Sequence, residues 1–270
     1  INARLSKKTF ERWMLISGFA KKIFNSFDLC LASSENTKKY LEKLNDKEIK
    51  FIGNLKYSIE IEGNIFFNKN LSKLKNYNYW CAASTHFPEE SFCIETHKHL
   101  SRSINNLLTV IIPRHIIRSE EIGKVCKNNE LNFQILNEND EINERIEILI
   151  VNSYGKLPQF FKNCRSVLMG KSLKEKFKSS GGQNPLEAVK LGCRVYHGPY
   201  ISNFEDIFSK LRHHKISEKI ESPEELSSKL INDFKNINNY KKSNNSELIS
   251  DFGNRILEDT ITKINEFIKK

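Results

Sequence analysis

The chain has 270 residues, 39% hydrophobic and 28% charged, enough apolar material for one large or two modest buried cores. Its 43 lysines and arginines against 33 acidic residues leave a net charge of +10, a field that rewards nucleic acid, an anionic membrane surface or a phosphorylated substrate. No run reaches the roughly 18 to 20 apolar residues of a membrane span, and the first residues lack the order of a secretory signal. The six cysteines form no Cys-x-x-Cys pair, which argues for reduced core thiols rather than zinc ligands or a disulfide framework.

In chain order, Phe10, Trp13, Met14, Ala20, Phe24 and Phe27 recur at helical spacing, bordered by Lys7, Lys8, Arg12, Lys21 and Lys22. The stripe predicts a helix with an apolar side on the core and a solvated cationic face; the same pattern also describes a membrane-surface helix. The opening at Ile1, without an initiator Met, reads as the middle of a longer protein. A strand at 28–32, a helix at 35–44 and a strand at 49–52 follow, the last stopped by Gly53-Asn54. Residues 58–76, with Gly63, several Asn and many Lys, lose this order and read as a linker.

From Tyr77 the rhythm resumes. Strand-like runs at 79–83, 107–112, 133–136, 146–151, 167–169 and 194–197 are separated by helix-length segments, which predicts a parallel sheet covered by helices on both faces. Ligands of such sheets sit beyond the carboxyl ends of the strands. The loops there are Ser84-Thr85-His86, Pro113-Arg114-His115, Asn152-Ser153-Tyr154-Gly155 and a glycine loop. Residues 247–270 read as an amphipathic helix with Phe252, Ile256, Leu257, Ile261, Ile264 and Phe267 on its apolar side, packing on a neighbouring domain.

The glycine loop, Ser180-Gly181-Gly182-Gln183-Asn184-Pro185-Leu186-Glu187, scripts a helix start that can receive an anion. Asn184 suits the N-cap, Pro185 the first helical position, and Glu187 the capping-box carboxylate. Gly181 and Gly182 allow a close approach to the backbone, and first-turn amides with the helix dipole favour phosphate. A well-capped helix after a flexible turn explains the same residues without a ligand. Arg114 offers a cationic fork for phosphate or carboxylate, or a surface partner for a glutamate. Ser84, Thr85 and His86 offer hydroxyl and imidazole groups, or cap the next helix. His97 and His99 point different ways on a helix, His213-His214 reads as solvated, and no nucleophile with an oriented base is visible. No nucleic-acid module and no basic stripe interleaved with aromatics is present, so nucleic acid is not an expected partner.

In this order, Asn2-Ala3-Arg4-Leu5-Ser6, Gly53-Asn54-Leu55-Lys56, Ala82-Ala83-Ser84-Thr85-His86, Pro113-Arg114-His115, Gly181 to Glu187, and Gly198-Pro199 with Asn203-Phe204 resemble the 3-deoxy-D-manno-octulosonic acid (Kdo) transferases. The resemblance implies an α/β fold of GT-B type: a Rossmann-like parallel-sheet donor domain at 59–246, the C-terminal part of a second Rossmann-like acceptor domain at 1–58, and a helix at 247–270 packing across domains. It implies transfer of Kdo from CMP-Kdo to a lipid A precursor at the cytoplasmic face of the inner membrane, by inversion and without an obligatory metal or other cofactor. The partners expected are therefore CMP-Kdo, lipid A precursor and an anionic membrane surface. The family's acceptor loop and proposed general-base glutamate would precede Ile1, so no catalytic base is assigned, and this stretch is expected to bind nucleotide without turnover.

By the same resemblance the donor site comprises Ser84, Thr85, His86, Arg114, Gly181, Gly182, Asn184 and Glu187, with Glu187 on the ribose hydroxyls and Arg114 on the phosphate or sugar carboxylate. Arg4 and Lys56 belong to the acceptor side or cleft. Several residues depart from the family pattern: Gln183 for His, Pro88 for Gly, Ser58 for Asp, Asn152-Ser153 for Asp-Thr, and extra lysines over 171–180. Two other readings stay open: a GT-B enzyme using a UDP-sugar, and a non-catalytic nucleotide- or anion-binding module.

Overall fold

The structure is a computed structural model that describes residues 1–59, 69–236 and 242–269. It divides into two compact units, Ile1–Glu60 with Glu247–Lys270, and Ile61–Ser246.

In the first unit the expected single N-terminal helix is two: α1, Lys7–Met14, and α2, Ser17–Phe24. Ser6 starts α1 by accepting the Thr9 amide at 3.2 Å. The break falls at Leu15-Ile16, before Ser17-Gly18, where β-branching and a glycine weaken helix propensity. Strands β1, Cys30–Ala32, and β2, Ile49–Phe51, pair in parallel and flank α3, Glu35–Leu41. Leu5, Ala20, Ala32, Leu41, Leu44 and Ile49 form the core, with Phe10, Trp13 and Phe24 packed against it. Met14 and Phe27, which the helical stripe assigned to the apolar side, are exposed instead, as are Leu15, Ile16 and Phe19. The two-helix arrangement keeps Ala20 and Phe24 on the core, while Met14, the last residue of α1, and Phe27, beyond the end of α2, face solvent.

The C-terminal helix, Lys242–Ile268, packs its line of Ile249, Ile256 and Thr260 inward, and Phe252 meets the Tyr57 ring edge-on at 6.4 Å. Leu257, Ile261 and Phe267, also expected on the apolar side, are exposed. The buried line is narrower than the apolar residues of the helix.

The second unit alternates strands and helices as expected. In order they are β3 (Asn78–Thr85), α4 (Glu89–Ser101), β4 (Leu107–Pro113), α5 (Ser119–Asn128), β5 (Phe133–Leu136), β6 (Ile148–Val151), α6 (Leu157–Phe161), β7 (Ser166–Met169), α7 (Leu186–Lys190), β8 (Arg194–His197), α8 (Glu205–His213), β9 (Ser217–Lys219) and α9 (Pro223–Lys235). All seven strands are parallel, in the order β5-β6-β4-β3-β7-β8-β9. Every residue of β4, β6 and β7 is buried, so residues of both parities are covered and the sheet has a helix layer on each face. Strand β9, Ser-Glu-Lys, had no hydrophobic signal; as an edge strand it needs none on its open side. Of the expected linker, residues 60–68 lie outside the described residues, while 69–76 form a 3-10 segment that buries Leu71 and Leu74.

Candidate functional site

Strand β3 lies at the centre of the sheet. The chain leaves it toward β4 on one side and later returns as β7 on the other, so the strand order reverses between β3 and β7. At such a reversal, the loops beyond the carboxyl ends diverge and leave a crevice. Ser84, Thr85 and His86 close β3 there, and the pairing with β4 slips between Ala83 and Thr85. Ser84 takes a left-handed conformation (φ 55°), which turns the chain out of the strand.

His86 ties three loops together. Its ring stands edge-on to His115, after β4, and to Phe177, ahead of the glycine loop, both at 5.6 Å. Its Nδ1 lies 3.1 Å from the Ser84 carbonyl, and burial pushes its pKa below the usual histidine value. Arg114 is fixed by its backbone, whose N–H donates to the Thr85 carbonyl at 3.0 Å. Its side chain is exposed and makes no ion pair or hydrogen bond among the described residues. Nearby Arg118 differs: it forks onto the buried Glu90 at 2.6 and 3.1 Å and also reaches Glu121. Arg114 is thus left with its donors available for an anion.

The glycine loop is held from below. Gly182 donates to the Lys171 carbonyl at 2.7 Å, and Asn203 donates to the Gly181 carbonyl at 2.9 Å. A Cβ at Gly181 would lie 2.3 Å from the Tyr200 oxygen and 2.7 Å from that of Phe177. A Cβ at Gly182 (φ 88°) would lie 3.1 Å from Ile201 Cα. The space the glycines leave is therefore filled by the protein's own backbone, a role the expectation of close ligand approach did not include.

The helix start also differs from expectation. Pro185, expected at the first helical position, is the N-cap, and Asn184, expected at the cap, lies one residue earlier, where its Oδ1 accepts the Leu186 amide at 3.3 Å as in an Asx turn. Glu187, however, makes no reach-back bond; α7 has five residues and starts after Pro185. The Glu187 carboxylate is half-buried without a hydrogen-bond partner among the described residues, and burial alone raises its pKa.

The reach-back geometry occurs instead at Glu89, which the sequence reading passed over. Glu89 N–H donates to the His86 carbonyl at 2.7 Å, and Glu89 Oε2 accepts the His86 amide at 2.9 Å. The same carboxylate accepts the amides of Lys171 (2.6 Å), Ser172 (2.8 Å) and Leu173 (3.0 Å), just beyond β7. Its signal in the sequence was an acid three residues after His86 at the head of a helix. Asn152, singled out as a departure, is occupied: Ser119 Oγ donates to its Oδ1 at 3.1 Å and its Nδ2 donates to Asn137 Oδ1 at 2.9 Å.

In the first unit, Asn2 Oδ1 accepts the Leu55 amide at 3.1 Å and Asn54 Oδ1 that of Lys56 at 3.0 Å. This brings the Asn-Ala-Arg and Gly-Asn-Leu-Lys segments together. Burial, and then the charge of Arg4, lowers the pKa of Lys56. Among the described residues no group of three or more His, Cys, Asp or Glu side chains could hold a metal ion. Nor is any helix among them long and apolar enough to cross a membrane.

Known proteins resemble this chain in sequence and in fold. Residues 1–59 match the family model of 3-deoxy-D-manno-octulosonic-acid transferase (kdotransferase). A 3-deoxy-D-manno-octulosonic acid transferase of Rickettsia bellii is 28% identical over 274 residues, covering 99% of this chain and 64% of that one. The Haemophilus influenzae protein of the same name is 27% identical over 218 residues, covering 78% and 49%. The chain thus spans about half to just under two thirds of the length of these relatives. The crystal structure of the C-terminal CMP-Kdo binding domain of WaaA from Acinetobacter baumannii superposes with a TM-score of 0.56 at 22% identity, over 68% of this chain and 91% of that one. A glycosyltransferase from Rickettsia africae gives 0.56 at 14% identity, over 93% and 67%. The resemblance to Kdo transferases and the GT-B type of fold, both read from the sequence, are borne out.

Proposed function

We propose that this chain carries the nucleotide-sugar site of a Kdo transferase, taking CMP-Kdo as donor and a lipid A precursor as acceptor. One observation carries the reading. At the reversal point of the parallel sheet, three loops are locked around His86, and Arg114 is left exposed without an ion pair among the described residues. A guanidinium held there by its backbone suits the phosphate of CMP or the sugar carboxylate through paired hydrogen bonds. It would stabilise the charge that develops on departing CMP. Glu187, half-buried and unpartnered among the described residues, suits the ribose hydroxyls, which would supply the hydrogen bonds its carboxylate lacks.

In the first unit, neighbouring Arg4 and Lys56 suit the phosphates of an anionic lipid acceptor. The turn between α1 and α2 supports a place at an anionic membrane surface, here assigned to the cytoplasmic face of the inner membrane. Leu15 is 85% and Phe19 60% exposed, with Met14 and Ile16 beside them and Lys8, Arg12, Lys21 and Lys22 exposed around them.

Calorimetric titration with CMP, of the wild type and of Arg114→Ala and Glu187→Ala, tests the donor site. Saturable binding weakened by both substitutions is expected. Equal binding of CMP by all three proteins would place the nucleotide elsewhere, and a preference for UDP would mark a different GT-B donor.

A further inference from the structure

We infer that Glu89 is a positioning residue for the nucleotide site, one carboxylate that fixes the loops after β3 and β7 against each other; the inference rests on the site proposed above. Glu89 is fully buried at the first residue of α4. Its Oε2 accepts the amides of His86 and Lys171, and its Oε1 those of Ser172 and Leu173. Three successive amides pointing at one spot make an anion-binding nest. Here the protein's own carboxylate fills it, so a ligand phosphate must bind elsewhere along the edge.

The grip is passed on. Lys171 is held at φ 56°, a conformation that a non-glycine residue rarely adopts, and its carbonyl accepts the Gly182 amide at 2.7 Å. Ser172 Oγ accepts the Gly198 amide at 2.9 Å, and its carbonyl that of Tyr200 at 2.9 Å. Tyr200 in turn lies against Gly181. One carboxylate thereby connects His86, Gly181 and Gly182, three of the residues proposed to line the donor site. Burial raises the Glu89 pKa while the four amides oppose that shift.

Glu89→Gln keeps one acceptor oxygen and turns an NH2 donor toward two amides, whereas Glu89→Ala leaves all four without an acceptor. Asp233→Asn serves as the control. Asp233 is also buried and accepts from Ser166 and Tyr196 at 2.6 and 2.7 Å, but it sits with the starts of β7 and β8, at the opposite edge of the sheet. Two readouts are taken on the full chain, below the melting temperature of every variant: CMP affinity, and amide exchange at Lys171, Ser172, Leu173 and Gly182.

CMP affinity should fall about 10-fold in Glu89→Gln and on the order of 100-fold in Glu89→Ala, as for misplaced but intact binding groups. Exchange at the four amides should accelerate in the same order. Asp233→Asn should melt lower yet keep its CMP affinity within about 2-fold and its exchange at those amides unchanged. Affinity that tracks melting temperature alike in the Glu89 and Asp233 variants would overturn the inference, as would unaltered exchange in Glu89→Ala. If the wild type binds no CMP, the proposed function fails, and the exchange pattern alone then decides whether Glu89 holds these loops.

Discussion

Gly181→Ala separates two explanations of the glycine loop. If Gly181 serves only to admit a ligand, a methyl group there costs binding and leaves stability unchanged. The structure says otherwise: the new Cβ would lie 2.3, 2.7 and 2.9 Å from the carbonyl oxygens of Tyr200, Phe177 and Lys171. An ordinary carbon–oxygen contact is about 3.3 Å or more, so the overlap approaches 1 Å, and all three atoms are backbone, which no rotamer change relieves. Overpacking of this kind costs ~1–3 kcal/mol, and the upper half of that range lowers the melting temperature of a chain of this size by roughly 4–12 °C. Gly182→Ala combines a φ of 88° with a 3.1 Å contact and should cost about 1 kcal/mol. Differential scanning calorimetry without ligand reads both. A Gly181→Ala protein that melts with the wild type refutes the packing argument and restores the ligand-only explanation.

Arg114→Ala should weaken CMP binding roughly 10- to 100-fold, the worth of a charge-assisted hydrogen bond, while leaving the melting temperature unchanged; a parallel loss of stability contradicts its unpaired state. Glu187→Gln should show a pH signature. Burial puts the folded pKa of Glu187 above its unfolded value, so ionisation opposes folding. That cost is absent below the unfolded pKa of about 4.3 and fully present above the folded one. The Gln protein should therefore melt above the wild type at pH 7, with the gap closing toward pH 4, and it should also lose CMP affinity. A gap that does not change with pH assigns the stability difference to packing. Leu15→Ser with Phe19→Ser should reduce sedimentation with vesicles containing anionic lipid, and leave CMP affinity intact; undiminished binding to vesicles removes the α1–α2 turn as the docking element.

Much of the second unit was legible because its strands are runs of β-branched and apolar residues buried on both faces. The expected span of β5, 133–136, and that of β8, 194–197, are the observed ones. The loops followed from the strands, since in a parallel sheet they share one edge. What the sequence hid were features without a periodic signature. Strand β9 is polar and lies at an edge, and the break at Leu15-Ile16 is a local loss of propensity inside a continuous helical pattern. Glu89 looked like one more acid at a helix start, and only the fold brings the amides beyond β7, more than 80 positions away, onto it. Gly181 and Gly182 were found by a motif that speaks for ligand approach, yet their neighbours are backbone from 171, 177, 200 and 201. Glu187 was expected to bond back to its own helix start, and its lack of a partner among the described residues is visible only in three dimensions.

The most direct test of the account is amide chemical-shift mapping of the isotopically labelled chain titrated with CMP. The account predicts saturable shifts confined to the reversal-point loops, at His86, Arg114, Lys171 to Leu173 and Gly181 to Glu187, with UDP producing weaker ones. Shifts clustered at the opposite edge of the sheet, around Tyr77, Asn78 and Arg165, or no saturable shift at all, would contradict it.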